Sequence, residues 1–451
     1  MRVHVLVLTV ATAAAVTLQA AAPKITFTDT KLKNGLRVII AEDHHAPVFS
    51  VAISYNVGSR DERPGRTGFA HLFEHMMFKG SQNVGPGEQF TLIFNNGGSM
   101  NGTTNEDRTL YYDTLPKNQL DLALFLEADR MRSLEITKDN LDNQRQAVQE
   151  ERRLRVDNQP YGKTGERFGE LAYSNAAYKH SVIGSMADLS AATVEDVAAF
   201  FKTYYAPNNA VLGIAGDVNG AQALAKVRQY FESIPAQPAP PPMDMTEPAQ
   251  TSEKRETIQD SLARLTRVDI GYHVPPSTHA DDEALQVLST ILTGGRSSRM
   301  YEGLVRQKQL TTGVSAGTNG RRGPQLFMLT STAMPGKSIN DLEAGIYAEI
   351  ERVKTEPIQS WELDKARNNA KRNAAAGLSS SLNVAVTLAE NALAYDDPAL
   401  INTQIDRINT ITAADVQRIA RQYLVQKNRT VIITTPKAAA PVPAIATKGG
   451  R

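Results

Sequence analysis

The stretch GFAHLFEHMMFKGS, residues 68–81, contains two of the eight histidines of the chain, His71 and His75, four positions apart. On an α-helix, side chains at positions i and i+4 lie on one face, so both imidazoles can reach one metal ion. Glu74 points to nearly the same side. Apolar residues on the remaining faces are available to bury the helix: Phe69, Leu72, Phe73 and Met76. The stretch therefore predicts a buried helix that presents two metal ligands and a carboxylate.

Two neutral imidazoles and one carboxylate can hold a zinc ion and leave one coordination position open for water. Glu74 would then act as the general base that takes a proton from that water. The third ligand must come from elsewhere, and the best candidates are the adjacent acids Glu150 and Glu151 in the helical run LDNQRQAVQEERRLRV. The residues alone do not choose between them. The plainer alternative is two ordinary histidines and a charged, exposed helix face.

Composition excludes several classes of function. The 49 Lys and Arg residues are balanced by 48 acidic residues, so no net field attracts nucleic acid or an anionic membrane. The chain has no cysteine, which excludes disulfides, thiolate zinc sites and a cysteine nucleophile. Any metal must therefore be held by His, Asp or Glu.

The chain has two halves with the same order of strand-like and helix-like segments. A proline-rich linker, residues 235–256, separates them. We expect an α+β fold of two related α/β-sandwich domains, each an antiparallel-rich sheet packed with helices. The first half, 24–234, carries the metal motif, and the second half, 257–436, lacks it. One local match supports the repeat: at a constant offset, Thr193, Asp196, Val197, Tyr204 and Asn209 align with Thr412, Asp415, Val416, Tyr423 and Asn428.

The two ends of the chain differ in composition from the rest. Residues 1–22 contain an early Arg2, an apolar stretch and three final alanines, which predicts a cleaved signal peptide and export, with the periplasm as the expected location. The alternative is an N-terminal membrane anchor, for which the apolar core is short. Residues 437–451 are predicted to be a disordered tail. No other segment is apolar for long enough to cross a bilayer.

Four strings resemble the pitrilysin/insulinase (M16) family of inverted-motif zinc peptidases, and its two-domain, mitochondrial-processing-peptidase-like bacterial branch in particular. They are HLFEHMMFKGS, GGSMNGTTNEDRTLYYDTLP, QEERRLRV and DVAAFFKTYYAPNNAVLGIAGDV. The resemblance implies a zinc metalloendopeptidase with Zn²⁺ held by His71, His75 and Glu151, and with Glu74 as the catalytic base. A second glutamate that family members often carry on the later helix is replaced here by Gln144.

The glycine-rich segment GGSMNGTTN, residues 97–105, resembles the edge strand on which this family binds its substrate. An extended peptide can pair with the free backbone groups of such a strand. The resemblance implies that Gly98, Ser99 and Asn101 contact the substrate. The alternative is an ordinary turn that leads into a strand.

The second half departs from the family in the run LVRQKQLTTGVSA, residues 304–316. Active single-chain members carry an arginine and a tyrosine where this chain has Val305 and Thr312. The resemblance therefore implies that a paralogous, metal-less subunit supplies the pair and that the two chains form a heterodimer enclosing a chamber for unfolded peptides. Two alternatives are a non-catalytic binding or assembly subunit, and a homodimeric peptidase that is active alone and uses Arg306 or Tyr301.

Overall fold

The computed structural model describes residues 24–437. The predicted signal peptide and the predicted tail beyond Lys437 lie outside the described residues. The first half contains six strands: β1 Thr28–Lys31, β2 Arg37–Glu42, β3 Val48–Tyr55, β4 Ser99–Thr104, β5 Thr109–Pro116 and β6 Ala210–Gly216. Its helices are α1 Phe69–Met76, α2 Glu88–Asn95, α3 Leu120–Ser133, α4 Lys138–Arg152, α5 Gly162–Ala172, α6 Met186–Ser190, α7 Val194–Tyr204 and α8 Gly220–Phe231.

These six strands form one sheet in the order β1-β2-β6-β3-β5-β4. All neighbours are antiparallel except β2 and β6. Apolar side chains of β3 and β6 form a buried core with helices α1, α3, α4 and α8 on one face of the sheet. Strand β4 pairs with β5 and, within the described residues, has no strand on its other side. The sheet therefore ends in a free edge.

The second half repeats this plan with five strands: β7 Lys254–Asp260, β8 Arg267–Val274, β9 Thr311–Thr318, β10 Gln325–Ala333 and β11 Arg429–Pro436. Its helices are α9 Asp282–Thr293, α10 Ile339–Thr355, α11 Ser360–Leu378, α12 Ser381–Tyr395, α13 Gln404–Thr410 and α14 Ala413–Tyr423. The sheet order is β7-β11-β8-β10-β9, with β7 parallel to β11. Helices α9, α10 and α14 cover one face of it.

The residues matched by the internal repeat occupy equivalent positions. Thr193 and Thr412 each accept a hydrogen bond from the backbone N–H three positions later, and so cap α7 and α14. Asn209 and Asn428 each donate a side-chain hydrogen bond of 2.8 Å to the carbonyl of the tyrosine five positions earlier. Helices α7 and α14 therefore begin in the same way, and each is connected to the strand that follows it by the same hydrogen bond.

The halves exchange one helix each. Helix α12 of the second half packs on the outer face of the first sheet, with Val384, Leu388 and Ala392 against Ile39 and Val211. Helix α5 of the first half packs on the outer face of the second sheet, where Phe168 lies in one apolar cluster with Leu326 and Ile432. Each sheet is therefore covered on its second face by the other half.

A buried carboxylate, Asp107, also joins the two halves. It accepts hydrogen bonds from Arg60 Nη1 at 2.7 Å and from the Tyr178 hydroxyl at 2.7 Å. The backbone N–H of Arg322, in the second half, donates to its other oxygen at 2.8 Å. Because a buried charge without partners is costly, this network holds the loop of the second half against the first.

The linker is shorter than its composition indicates. Residues 235–253 contain no helix or strand, but β7 begins at Lys254, so the last three residues of the predicted linker belong to a strand. Every second residue of β7 is exposed, so its sequence is as polar as that of a linker. No helix of residues 24–437 has the length and hydropathy required for a membrane span.

Gly213, in the central strand β6, tests the packing of the exchanged helix. A Cβ built on Gly213 would lie 2.3 Å from the carbonyl oxygen of Ala385 in α12. We expect Gly213→Ala to destabilise the protein by about 1–3 kcal/mol, because the helix must move away from the sheet. Urea-induced unfolding of the full chain should show this as a lower midpoint.

Gly313→Ala is the matched control, because Gly313 also lies in a strand but a Cβ there would meet no described atom within 4 Å. Equal midpoints for the two variants would contradict the close approach of α12 to β6.

Candidate metal centre

Helix α1 is fixed at its first turn by a buried acid that precedes it in sequence. Gly68 forms the N-cap with a φ of 87°, a conformation that favours glycine. The Glu62 carboxylate accepts hydrogen bonds from the backbone N–H groups of Gly68 at 2.8 Å and Ala70 at 2.7 Å. A carboxylate at this position also interacts favourably with the helix dipole. The orientation of His71 and His75 therefore depends on this cap and on the buried apolar face of α1.

The structure brings His71, His75 and Glu151 together. Glu151 Oε2 lies 3.6 Å from His71 Nε2 and 3.3 Å from His75 Nε2. The three ligand atoms all lie within 4.8 Å of one another. Glu150 instead forms an ion pair with Arg153 and its side chain is 58% exposed. The rotation of α4 thus points Glu151, and not Glu150, at the histidines.

The geometry and the protonation states fit a zinc ion. Zinc lies about 2.0–2.1 Å from its nitrogen and oxygen ligands, so tetrahedral ligands are separated by about 3.4 Å. The observed 3.3 and 3.6 Å lie on either side of this value. Burial lowers the pKa of His71 to about 4, which keeps its imidazole neutral and able to bind a cation. Contact with His75, at 3.3 Å, lowers the pKa of the Glu151 carboxyl group, so this group is ionised and able to bind a cation.

Glu74 lies on the same helix and faces the edge strand. Its side chain is buried, and burial raises the pKa of the carboxyl group. The Thr104 hydroxyl donates a 2.5 Å hydrogen bond to Oε2, which favours the ionised form in part. A raised pKa brings a carboxylate closer to the range in which a general base is effective at neutral pH.

Strand β4 passes close to Glu74 at Gly102. A Cβ built on Gly102 would lie 3.1 Å from Glu74 Oε1, so the strand can approach Glu74 because this position has no side chain. Sequence reasoning missed both Gly102 and Thr104. A glycine inside a strand is a signal for close approach of another group and could have indicated Gly102. Nothing in the sequence indicates Thr104.

Two further side chains contact the candidate ligands His75 and Glu151. Gln144 Oε1 lies 3.3 Å from His75 Nδ1, so this position contacts the ligand even though it carries an amide and not an acid. Arg155 Nη1 lies 2.5 Å from Glu151 Oε1, the oxygen that does not face the histidines. Contacts of this kind orient metal ligands and set their basicity.

The predicted substrate-binding residues lie along the free edge. Ser99 and Asn101 are exposed residues of β4, and Gly98 immediately precedes the strand. Asn101 Oδ1 accepts a hydrogen bond from the backbone N–H of the next residue at 2.9 Å. These residues therefore belong to the strand whose far end, at Thr104, contacts Glu74.

The segment of the second half that departs from the family pattern is exposed. Arg306 has a side chain 72% exposed and forms an ion pair with Glu302, one turn earlier. Thr312 is an exposed residue of the edge strand β9. Among the described residues, neither forms a hydrogen bond or ion pair with the histidines of α1 or with Glu151.

Comparison with known proteins accounts for both halves. Residues 37–185 match the family described as Insulinase (Peptidase family M16), and residues 191–370 match the Peptidase M16 inactive domain. The chain is 32% identical over 408 residues to the zinc protease PqqE of Helicobacter pylori, which covers 90% of this chain and 92% of that protein. This chain belongs to the M16 peptidase family.

Solved structures share the M16 fold. The crystal structure of a protease from Helicobacter pylori superimposes with a TM-score of 0.87 at 31% identity, over 91% of this chain and all of the other. The periplasmic protease PqqL from Escherichia coli superimposes with a TM-score of 0.74 at 19% identity. The match spans 92% of this chain but only 48% of PqqL, so this M16 chain corresponds in fold to about half of that protein.

The two adjacent glutamates provide a matched test of the metal centre. We expect wild-type protein to bind one zinc ion per chain, and Glu151→Gln to weaken zinc binding by more than about 100-fold, because a ligand is lost as well as its charge. Glu150→Gln removes the same charge one residue away and should leave zinc affinity unchanged.

Competition with a chromophoric chelator measures both affinities. Equal loss of affinity in the two variants would show that charge near α4 matters and that the position of Glu151 does not.

Proposed function

We propose that this chain is a zinc-dependent endopeptidase that hydrolyses unfolded peptides of limited size. The observation that carries the proposal is the convergence of His71, His75 and Glu151, with Glu74 beside them and a free sheet edge next to Glu74. The names of the relatives as zinc proteases support the same activity. A purely structural role would not require a buried base that faces an exposed strand.

The proposed chemistry divides between the ion and the residues of the chain. His71, His75 and Glu151 would hold zinc, which supplies Lewis acidity that activates water and polarises a carbonyl group. Glu74 accepts the proton of the attacking water and returns it to the leaving amine. Thr104 holds Glu74 Oε2, which leaves Oε1 on the side of Gly102 to take the proton.

The substrate is an extended peptide that adds to β4 as a further strand. Its backbone would pair with the free groups of residues 99–104, and the exposed side chain of Asn101 would hold it in register. Gly98 lies at the entrance to this edge. Because β4 reaches Glu74 at Gly102 and Thr104, a peptide paired along it would bring one carbonyl group to the metal centre. A segment that is already paired within a folded protein cannot add to β4 in this way.

We further propose that this chain is the metal-bearing half of a heterodimer with a paralogous, metal-less subunit. Val305 and Thr312 stand where active single-chain family members have an arginine and a tyrosine. Stabilisation of the oxyanion is usually a large part of catalysis, so we infer that a second chain supplies the pair. The length of PqqL, about twice that of the matched region, supports the pairing of two such halves around a chamber.

We place the mature protein outside the cytoplasm, in the periplasm. The composition of residues 1–22 supports export, and the name of PqqL as a periplasmic protease agrees with it.

Substitution of the base tests the enzymatic proposal. Glu74→Gln should lower kcat for a quenched fluorescent peptide by about 10²- to 10⁴-fold, because the amide cannot accept the proton. Zinc content should stay at the wild-type level, since Glu74 is not among the ligands. Removal of zinc with a chelator should abolish cleavage, and addition of zinc should restore it. Cleavage that survives both the substitution and the chelator would end the proposal.

Purification from the native organism tests the heterodimer. We expect a second M16 chain to copurify in equal amount, and the isolated chain to be slower by about 10²- to 10³-fold, because the oxyanion donors are missing. Full activity of an isolated homodimer, lost in Arg306→Gln, would favour the homodimeric alternative. A zinc-free chain that is inactive with and without its partner would favour a binding subunit.

A further inference from the structure

The two oxygens of Glu151 have different environments. Oε2 faces both histidines, at 3.6 and 3.3 Å, whereas Oε1 lies 2.5 Å from Arg155 Nη1. A single carboxylate is therefore shared between the metal centre and a guanidinium group. This division matters because a carboxylate can bind a cation through one oxygen or through both.

A catalytic zinc site needs a coordination position that the protein does not fill. With two imidazoles in place, a carboxylate bound through one oxygen leaves this position free for water and the peptide carbonyl. If both oxygens of Glu151 bound, the second would compete for it. The ion pair between Arg155 and Oε1 opposes that rotation of the carboxylate.

Arg155 contributes little to the stability of the fold. Its side chain is 73% exposed, and ion pairs this exposed contribute little to stability. It lies in the turn Arg153–Asp157, where the end of α4 widens into a π-helix. Such turns often occur at functional sites. Arg153, two residues earlier, forms the equivalent pair with Glu150, which does not face the histidines.

We propose that Arg155 is a positioning residue that keeps Glu151 bound to the metal through one oxygen and so keeps the fourth coordination position open. This inference rests on the proposed zinc site and extends it, because it assigns a role to a residue outside the ligand set. The proposal also separates two properties of the site. Affinity for the ion depends on Glu151 Oε2, whereas access of water and substrate to the ion depends on Oε1 staying with Arg155.

Cobalt substitution tests the proposal without any substrate. The visible absorption of Co²⁺ weakens as its coordination number rises, so the spectrum reports whether Glu151 binds through one or two oxygens. We expect Co²⁺-loaded Arg155→Met to absorb more weakly than wild type, and Arg153→Met, the matched control, to be unchanged. Arg155→Lys, which keeps a charged donor, should restore part of the intensity.

Zinc-loaded variants provide the second readout. We expect Arg155→Met to retain one zinc per chain while kcat/KM falls by about 10- to 100-fold, the usual range for residues that contact metal ligands. An Arg155→Met spectrum identical to wild type would overturn the proposal. So would a loss of zinc equal to that of Glu151→Gln. Because the spectrum needs no turnover, a wild-type protein that binds cobalt but cleaves nothing would refute the peptidase and leave this test intact.

Discussion

The packing of α1 against α4 is the contact on which the site depends. His71 and His75 come from one helix and Glu151 from another, and their ligand atoms must meet within a few ångströms. Neither helix can set this distance alone. It is set by the apolar face of α1, by Val148 and Leu141 of α4 in the same core, and by the Glu62 cap. A rotation of either helix by one residue would separate the ligands, because neighbouring residues on a helix point about 100° apart.

Burial then gives similar side chains different properties. The same removal of water keeps His71 neutral and raises the pKa of Glu74, while Glu151, in contact with His75 and Arg155, stays ionised. Two carboxylates a short distance apart are thereby suited to different tasks, one to hold a cation and one to accept a proton. The division follows from position in the fold and not from residue type.

Much of this arrangement was predictable from the sequence. The rest was not predictable, and the physical reasons can be named. The spacing of His71 and His75 predicts a shared helix face, and the two-domain α+β fold predicted from the repeated order of elements is confirmed. The choice between Glu150 and Glu151 depends on the rotation of α4, which periodicity does not fix. The contact of Arg155 with Glu151 depends on the π-helical turn Arg153–Asp157, which the sequence pattern does not predict. Likewise, the sequence does not show that α5 and α12 each cover the sheet of the other half.

The exchange of α5 and α12 bears on how such a chain evolves. In a tandem duplication, a copy that loses its active residues can ordinarily be deleted. Here deletion of the second half would remove α12 and expose an entire apolar face of the sheet that includes β6. Deletion of the first half would do the same to the other sheet, through the loss of α5. The second half, although it lacks the metal motif, completes the core of the first, so neither half has a fully covered sheet without the other.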